Sequence, residues 1–142
     1  MIILDTNVVS EFRGRKHSEV VLAWLDLQRM DDLYLTVITV AEIHFGLAVV
    51  ASDDRRSALR TDYDAIEAEF EGRILPLERD AAMLYGEICA RRKKAGRPIE
   101  TKDAMIAAIC IHHGATLATR NVKDFEVLDL KLVNPFEGQA NS

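Results

Sequence analysis

The chain has few of the features that mark secreted, membrane or disulfide-bonded proteins. Among 142 residues there are only two cysteines, Cys89 and Cys110, and they form no CxxC or other metal-ligand spacing. We therefore expect buried, reduced thiols. No apolar run reaches the ~18 residues of a membrane span, and Asp5 interrupts the N-terminal apolar run before it could act as a signal peptide. These absences predict a cytoplasmic protein with no membrane partner.

Positive charge is also scarce. The chain carries 18 Lys and Arg against 23 Asp and Glu, a net charge of -5. Proteins that bind nucleic acid are more often basic, so this balance argues against nucleic acid unless several acids gather at one metal site. With 49% hydrophobic and 29% charged residues and no repeat or linker, the composition predicts a single domain over 1–142. Its ordered core is expected over about 1–135, followed by a short C-terminal tail.

Apolar runs and helical periodicity alternate along the chain, which predicts an α/β fold. Its five-stranded parallel sheet should be covered by helices on both faces, in three layers. Strands are predicted at 2–4, 33–36, 73–77, 115–119 and 130–133. Helices are predicted over 19–29 after Ser18, from Thr39 to Val50, from Asp53 or Asp54 to Gly72, over 79–95, and from Thr101 to Gly114. In such sheets, sites form beyond the carboxyl ends of the strands.

Four acidic residues fall where predicted elements begin or end: Asp5, Glu42, Asp103 and Asp124. Each has a structural explanation as well. Thr39 and Glu42 fit a capping box, Asp103 would favour a helix dipole, and Asp124 could cap a turn. Asp5 is hardest to explain in this way, because an unpaired charge at the end of a buried strand is costly.

Taken together, the four acids suit a divalent metal ion. Carboxylates gathered in one cleft repel each other, and a cation removes that cost. Hard oxygen ligands favour Mg²⁺ or Mn²⁺ over zinc. Such a site suits phosphodiester hydrolysis, because the metal activates a bound water and neutralises charge on the phosphate. An aspartyl-nucleophile phosphatase is the less favoured enzyme class, since it would need a second Asp where Asn7 stands.

Four motifs in order resemble the PIN-domain family, in particular the VapC-type, FitB-like toxin ribonucleases of type II toxin–antitoxin systems. The motifs are "ILDTNVVSE" (3–11), "TVITVAEI" (36–43), "ETKDAMIAAIC" (100–110) and "LATRNVKDF" (117–125). The resemblance implies a PIN-like three-layer α/β/α fold and an endoribonuclease that uses Mg²⁺, for which Mn²⁺ can substitute. It also implies catalytic roles for the four acids, with Asp5, Asp103 and Asp124 as metal ligands and Glu42 acting through water.

The same resemblance implies polar support for metal-bound waters from Thr6, Asn7, Thr119 and Asn121. One local departure is that Lys102 precedes the third acid, where the family often has a small polar residue. Glu100 could share a helical face with Asp103, so its contribution stays open at this point.

The resemblance further implies partners. It predicts a homodimer, and with its cognate, VapB-like antitoxin a heterotetramer or larger assembly. The antitoxin's C-terminal segment would fill the cleft, and operator DNA would be contacted only through the antitoxin. The alternative reading is a non-catalytic PIN-like binding module that acts with its antitoxin in DNA-bound regulation.

Basic residues near the third motif are candidate phosphate contacts for RNA. They are Arg91, Arg92, Lys93, Lys94 and Arg97, together with Arg120 in the fourth motif. A solvated helix end explains the run at 91–97 equally well. "RGRK" (13–16) is a weaker basic segment of the same kind.

The remaining ring-bearing residues have no predicted role in catalysis. No catalytic histidine is expected, since His44 should face away from Glu42 and His112 and His113 end a helix. The aromatic residues follow apolar patterns that predict mostly core positions: Phe12, Trp24, Phe45, Phe70, Phe125 and Phe136.

Overall fold

A computed structural model describes residues 1–12 and 18–137, and its centre is a parallel five-stranded sheet in the order β3-β2-β1-β4-β5. The strands are β1 (Ile2–Leu4), β2 (Leu33–Thr36), β3 (Ile74–Leu75), β4 (Thr116–Ala118) and β5 (Lys131–Val133). All four pairings are parallel. The predicted α/β fold with a five-stranded parallel sheet is confirmed. The last three strands are shorter than predicted; Pro76, which has no N–H to donate, follows β3 directly.

Within the described ranges, six α-helices connect and cover these strands. They are α1 (Thr6–Val9), α2 (Glu19–Asp26), α3 (Val37–Ala48), α4 (Asp53–Glu69), α5 (Arg79–Lys94) and α6 (Thr101–His113). The predicted helix at 19–29 ends earlier, while its cap at Ser18 is confirmed, since the Ser18 side chain accepts a hydrogen bond from the backbone N–H of Val21. Gly114 ends α6 in the left-handed conformation, as predicted.

Two predicted helix starts are wrong. Helix α3 is capped by Thr36, which accepts a hydrogen bond from the N–H of Thr39, so the helix begins directly after β2 and not at Thr39. Helix α4 is capped by Ser52, whose hydroxyl accepts from the N–H of Arg55, and not by Asp53 or Asp54. The first change moves Glu42 from the first turn of α3 to the second.

Neighbouring residues of β1 point into two separate cores, one on each face of the sheet. Ile3 packs with α5 and α6 residues such as Ile88 and Ile106. Leu4 packs with residues of α1, α2 and α3 such as Val8, Val21 and Ile43. This alternation gives the three predicted layers.

Two further expectations concern the cysteines and membrane-spanning helices. Cys110 is buried in α6, where burial raises the pKa of its thiol, and Cys89 is half-buried in α5; both are free. Among the described residues, no helix combines the length and the apolar character needed to cross a membrane.

Strand β1 is the point where the direction of strand order reverses. The chain runs from β1 to β2 and β3 on one side, then returns to place β4 and β5 on the other. The backbone N–H of Asp5 donates to the carbonyl of Ala118 at 2.9 Å, so the residues after β1 and β4 lie side by side. Crevices for ligands form at such switch points in open parallel sheets.

Candidate functional site

Asp5 is the buried centre of the site. It directly follows β1, caps the single turn of α1, and is 6% exposed. Its Oδ1 accepts from the N–H of Thr6 at 2.8 Å, and its Oδ2 accepts from the hydroxyl of Thr119 at 2.8 Å and from Asn7 Nδ2 at 3.4 Å. Burial raises the pKa of Asp5, and these hydrogen bonds oppose the rise. The carboxylate is thus fixed in one orientation.

Three of the four predicted supporting residues, Thr6, Asn7 and Thr119, bond directly to Asp5, and the fourth, Asn121, bonds to Thr119. The hydroxyl of Thr119 donates to Asp5 and accepts from the N–H of Asn121 at 3.0 Å, while Asn7 Oδ1 accepts from the N–H of Arg120 at 3.2 Å. These bonds join the ends of β1 and β4. A role toward metal-bound water stays a prediction for all four supporting residues.

Glu42 faces Asp5 from the second turn of α3. The Thr6 hydroxyl donates to Thr39 Oγ1 at 3.1 Å, which ties α1 to α3. Burial raises the pKa of Glu42, and the charge of Asp5 raises it further. The capping box predicted for Thr39 and Glu42 is wrong, because Thr36 caps this helix. Helix capping therefore does not explain why an acidic residue stands at position 42. Thr39 is fully buried, and sequence reasoning gave it only a helix-capping role.

Asp103 lies in the first turn of α6, as predicted. Its pKa is raised to about 7, first by burial and then by the charges of Asp5, Glu100, Asp124 and Glu42. One half-buried carboxyl therefore experiences four others. Glu100 is the residue before α6, and its side chain makes no capping hydrogen bond. Its charge raises the pKa of Asp103, so Glu100 contributes to the electrostatics of this acidic cluster.

Asp124 completes the cluster from a 3₁₀-helix, Val122–Phe125, that follows β4. Its side chain is exposed, and its charge raises the pKa values of both Asp5 and Asp103. A cavity of about 220 Å³ opens between this turn and the start of α6. It is lined by Arg92, Pro98, Ile99, Glu100, Asp103 and Asp124.

The cluster is rich in hard oxygen donors but is not a closed cage. Within residues 1–12 and 18–137, no three Asp, Glu, His or Cys side chains are close enough together to form a metal-binding group by themselves. The carboxylates instead surround an open cleft, where neighbouring acids add to the effect of burial in raising the pKa values of Asp5, Glu42 and Asp103. Such a donor set fits a cation that keeps several of its own waters, as Mg²⁺ does.

The basic residues at 91–97, at the end of α5 and just after it, have different surroundings. Arg92 is 4% exposed, and its guanidinium donates to backbone carbonyls, so its predicted phosphate contact is wrong. Arg91 bridges Asp129 at 3.2 Å and Arg97 bridges Glu126 at 3.0 Å. Lys93 and Lys94 are exposed, and their contact with phosphate stays a prediction. The segment "RGRK" (13–16) and His17 lie outside the described residues.

Arg120 stands at the rim of the cleft. Its guanidinium carbon lies 3.8 Å from the centroid of the Phe136 ring, and its backbone N–H is bonded to Asn7 beside Asp5. The contact with the ring holds the guanidinium in place. None of the ion pairs among the described residues involves Arg120. It remains the best placed of the predicted phosphate contacts.

The orientation predicted for His44 on α3 is confirmed, while the burial predicted for its neighbour Phe45 is not. His44 faces away from Glu42, as predicted, and its Nε2 lies 2.7 Å from Glu67 on α4. Phe45 is 66% exposed, so its predicted core position is wrong. It lines an apolar groove of about 370 Å³ beside Glu42, with Lys102 Nζ 5.9 Å from its ring centroid.

The buried position of Arg92 was missed because it lies within a run of exposed charges. Its spacing carried a signal, since Ala81, Ile88 and Arg92 recur at helical intervals and are the buried residues of α5.

Comparisons with known proteins agree with the fold and the order of the motifs. The PIN domain model matches residues 2–130. The VapC ribonuclease Y4jK of Sinorhizobium fredii is 40% identical over 138 residues, which cover 96% of this chain and 99% of the relative. Toxin FitB of Neisseria gonorrhoeae is 38% identical, with 96% and 99% covered. A solved structure of FitAB bound to an IR36 DNA fragment matches with a TM-score of 0.91 at 36% identity over 100% of both chains.

Substituting Asp103→Asn should stabilise the metal-free protein while removing a site carboxylate. The folded-state pKa of about 7 lies above the ordinary aspartate value of 3.8, so ionisation of Asp103 disfavours the fold increasingly as pH rises from about 4 to about 7. We expect Asp103→Asn to raise Tm at pH 8 in EDTA, with the gain absent near pH 3.5. Calorimetry at both pH values measures this.

The matched control for this experiment is Asp129→Asn, whose side chain is 88% exposed. It should give no comparable gain at pH 8. An Asp103→Asn protein with an unchanged or lower Tm at pH 8 would contradict the electrostatic picture of the site.

Proposed function

The chain belongs to the PIN-domain family, and from this premise we propose that it is the toxin of a type II toxin–antitoxin module, an endoribonuclease that needs Mg²⁺ or Mn²⁺. The observation that carries the proposal is the acidic cluster of Asp5, Glu42, Asp103 and Asp124 at the carboxyl edge of the sheet. The names of the relatives, a VapC ribonuclease and a toxin, support the same reading. We further propose that it acts in the cytoplasm.

The electrostatics of the cluster support a divalent cation. Burial and like charge raise the pKa values of Asp5, Glu42 and Asp103, which means that the ionised cluster is unfavourable by itself. A bound cation reverses this balance. We propose that Asp5, Asp103 and Asp124 hold the ion and that Glu42 acts through a water. When bound, the ion would lower the pKa of a coordinated water and neutralise charge on the phosphate.

The protein's own residues have distinct tasks in this proposal. Thr119, Asn7 and the N–H of Thr6 hold both oxygens of Asp5 in a fixed direction, which reduces the reorganisation needed when substrate arrives. Arg120, stacked on Phe136 beside this network, contacts an RNA phosphate. A few rim cations of this kind explain how a chain of net charge -5 holds RNA.

We propose a cognate antitoxin as the protein partner, with operator DNA contacted through the antitoxin. The solved FitAB–DNA assembly, which this chain matches at 36% identity over its full length, supports this proposal. The open cleft, lined by carboxylates, is suited to a basic side chain from the antitoxin's C-terminal segment.

We also propose a homodimer, the unit from which a heterotetramer or larger assembly with antitoxin would form. Support comes from the apolar groove around Phe45, whose lining includes Ile38, Ala41 and Met105. Large apolar residues of α3 and its C-cap remain exposed in the single chain: Val37, Phe45 and Val49. Apolar patches of this kind on a soluble domain mark protein contacts.

RNA cleavage by the purified, antitoxin-free protein tests the proposed function. We expect cutting that appears with Mg²⁺ or Mn²⁺, stops with EDTA, and is lost in Asp5→Asn with the fold retained by circular dichroism. Asp26→Asn, an exposed acid at the end of α2, should cut like the wild type.

Cutting that persists in EDTA or in Asp5→Asn would contradict the proposed site. A chain that binds Mn²⁺ and represses its operator with antitoxin but cuts no cellular RNA would favour the alternative, a non-catalytic regulatory module.

The proposed phosphate contact of Arg120 is tested by the salt dependence of RNA binding. In an Asp5→Asn background, which prevents cutting, Arg120→Ala should weaken binding of a single-stranded RNA and reduce the slope of log K against log[salt] by about 0.7, the value for one lost phosphate contact. Lys131→Ala, at the opposite, amino end of β5, is the control. An unchanged slope for Arg120→Ala would remove this residue from the interface.

A further inference from the structure

The turn that carries Asp124 is held by an arginine from a different helix. Arg92 lies on the buried face of α5. Its Nη1 donates to the carbonyl of Asp124 at 2.7 Å and to the carbonyl of Glu126 at 3.2 Å, and its Nε donates to the carbonyl of Arg97 at 2.6 Å. One buried guanidinium therefore joins α5, the Asp124 turn, and the segment that leads into α6.

The carbonyls explain why a charge is buried here. The 3₁₀-helix Val122–Phe125 is a single short turn, and the last carbonyls of a helix have no partners within it. A cation is favourable at that end of a helix, and a buried charge is tolerated when its donors are used in hydrogen bonds. Arg92 satisfies both requirements, because its donors reach the carbonyls of Asp124 and Glu126.

A second arginine reinforces the same turn. Arg97 bridges the Glu126 carboxylate at 3.0 Å, and its Nη2 approaches the carbonyl of Lys123 at 3.5 Å. Only three residues separate Arg97 from Thr101, the first residue of α6, which carries Asp103. The bonds of Arg92 to the carbonyls of Arg97 and Asp124 thus reach the backbone on both sides of the cavity that Asp103 and Asp124 line.

We propose that Arg92 is a positioning residue that sets the separation of Asp124 from Asp103 across the cleft, and so determines how tightly the divalent ion is held. The inference rests on the proposed function, since it concerns the same metal site. Arg92 acts through the backbone of Asp124, since the hydrogen bonds described for its guanidinium all go to backbone carbonyls and none to a carboxylate. Groups that orient metal-ligating side chains commonly change metal affinity by about 10–100-fold when they are removed.

The chain offers a matched control for a purely structural role. Arg73 also directs its guanidinium at backbone carbonyls, those of Met30 at 2.5 Å and Leu33 at 2.6 Å. It stands just before β3 and bonds to the first residue of β2, at the amino end of the sheet, away from the acidic cluster. Losing either arginine removes hydrogen bonds of the same kind, but only Arg92 bonds to a residue of the acidic cluster.

The test is Mn²⁺ affinity, measured by electron paramagnetic resonance of free Mn²⁺ on the full-length, antitoxin-free chain. Arg92→Met, which keeps most of the apolar stem, should weaken Mn²⁺ binding about 10-fold, and Arg92→Lys should weaken it less. Arg73→Met should lower Tm and leave Mn²⁺ affinity unchanged. In an Asp124→Asn background, Arg92→Met should add no further loss, because its effect passes through Asp124.

Two results would overturn the inference: wild-type Mn²⁺ affinity in folded Arg92→Met, or an equal loss of affinity with and without the Asp124 carboxylate. If Arg92→Met does not fold, Arg92→Lys is carried through the same cycle with the same criteria. Failure of the proposed function looks different, because the wild-type chain itself would then bind no Mn²⁺ or cut no RNA.

Discussion

The mutual repulsion of carboxylates at one edge of the sheet is the constraint on which the site depends. Asp5 is buried there because it follows the central strand, and the other acids approach it from α3, α6 and the turn after β4. Burial and the charges of neighbouring acids raise the pKa values of Asp5, Glu42 and Asp103, and that of Asp103 reaches about 7. The fold keeps these groups together by bonding Asp5 to Thr6, Asn7 and Thr119, and within residues 1–12 and 18–137 no basic side chain forms an ion pair with it. The ionised, metal-free site therefore opposes folding, and the divalent ion that we propose for it would offset that cost.

The architecture supplies the rigidity that such a cluster needs. Parallel strands end at a common edge, and their order reverses at β1, so the residues after β1 and β4 become neighbours without a long loop. Helices α1 and α3 begin immediately after their strands, which leaves little freedom in the position of Asp5 or Glu42. Asp124 is the exception, since it lies on an exposed 3₁₀-turn. Its backbone is held by Arg92 of α5. The hydrogen bonds described for Arg92 go to backbone carbonyls and not to the carboxylates of the cluster.

The sequence alone predicted the sheet, the layers and the four acids, because each depends on patterns that are local in the chain: apolar runs, helical periodicity, and polar residues at element ends. Features that depend on a choice between similar nearby residues, or on contacts with other segments, were harder to predict from the sequence. Thr36 and Thr39 are equally good caps, and only the length of β2 decides between them. Phe45 was misassigned because its exposure depends on segments distant in sequence, and Arg92 because the exposed charges around it obscured its helical spacing with Ala81 and Ile88. The convergence of Glu100 with the cluster likewise required the position of α6 relative to β1.

Proton release on metal binding tests the central claim most directly, that a divalent ion binds by displacing protons from the crowded carboxylates. Titration calorimetry of Mn²⁺ into the metal-free protein, in buffers of different ionisation enthalpy, counts the protons released. With the pKa of Asp103 at about 7, the account predicts about one proton per ion near pH 6 and almost none near pH 8.5. Absence of Mn²⁺ binding, or binding with the same proton count at both pH values, would contradict it.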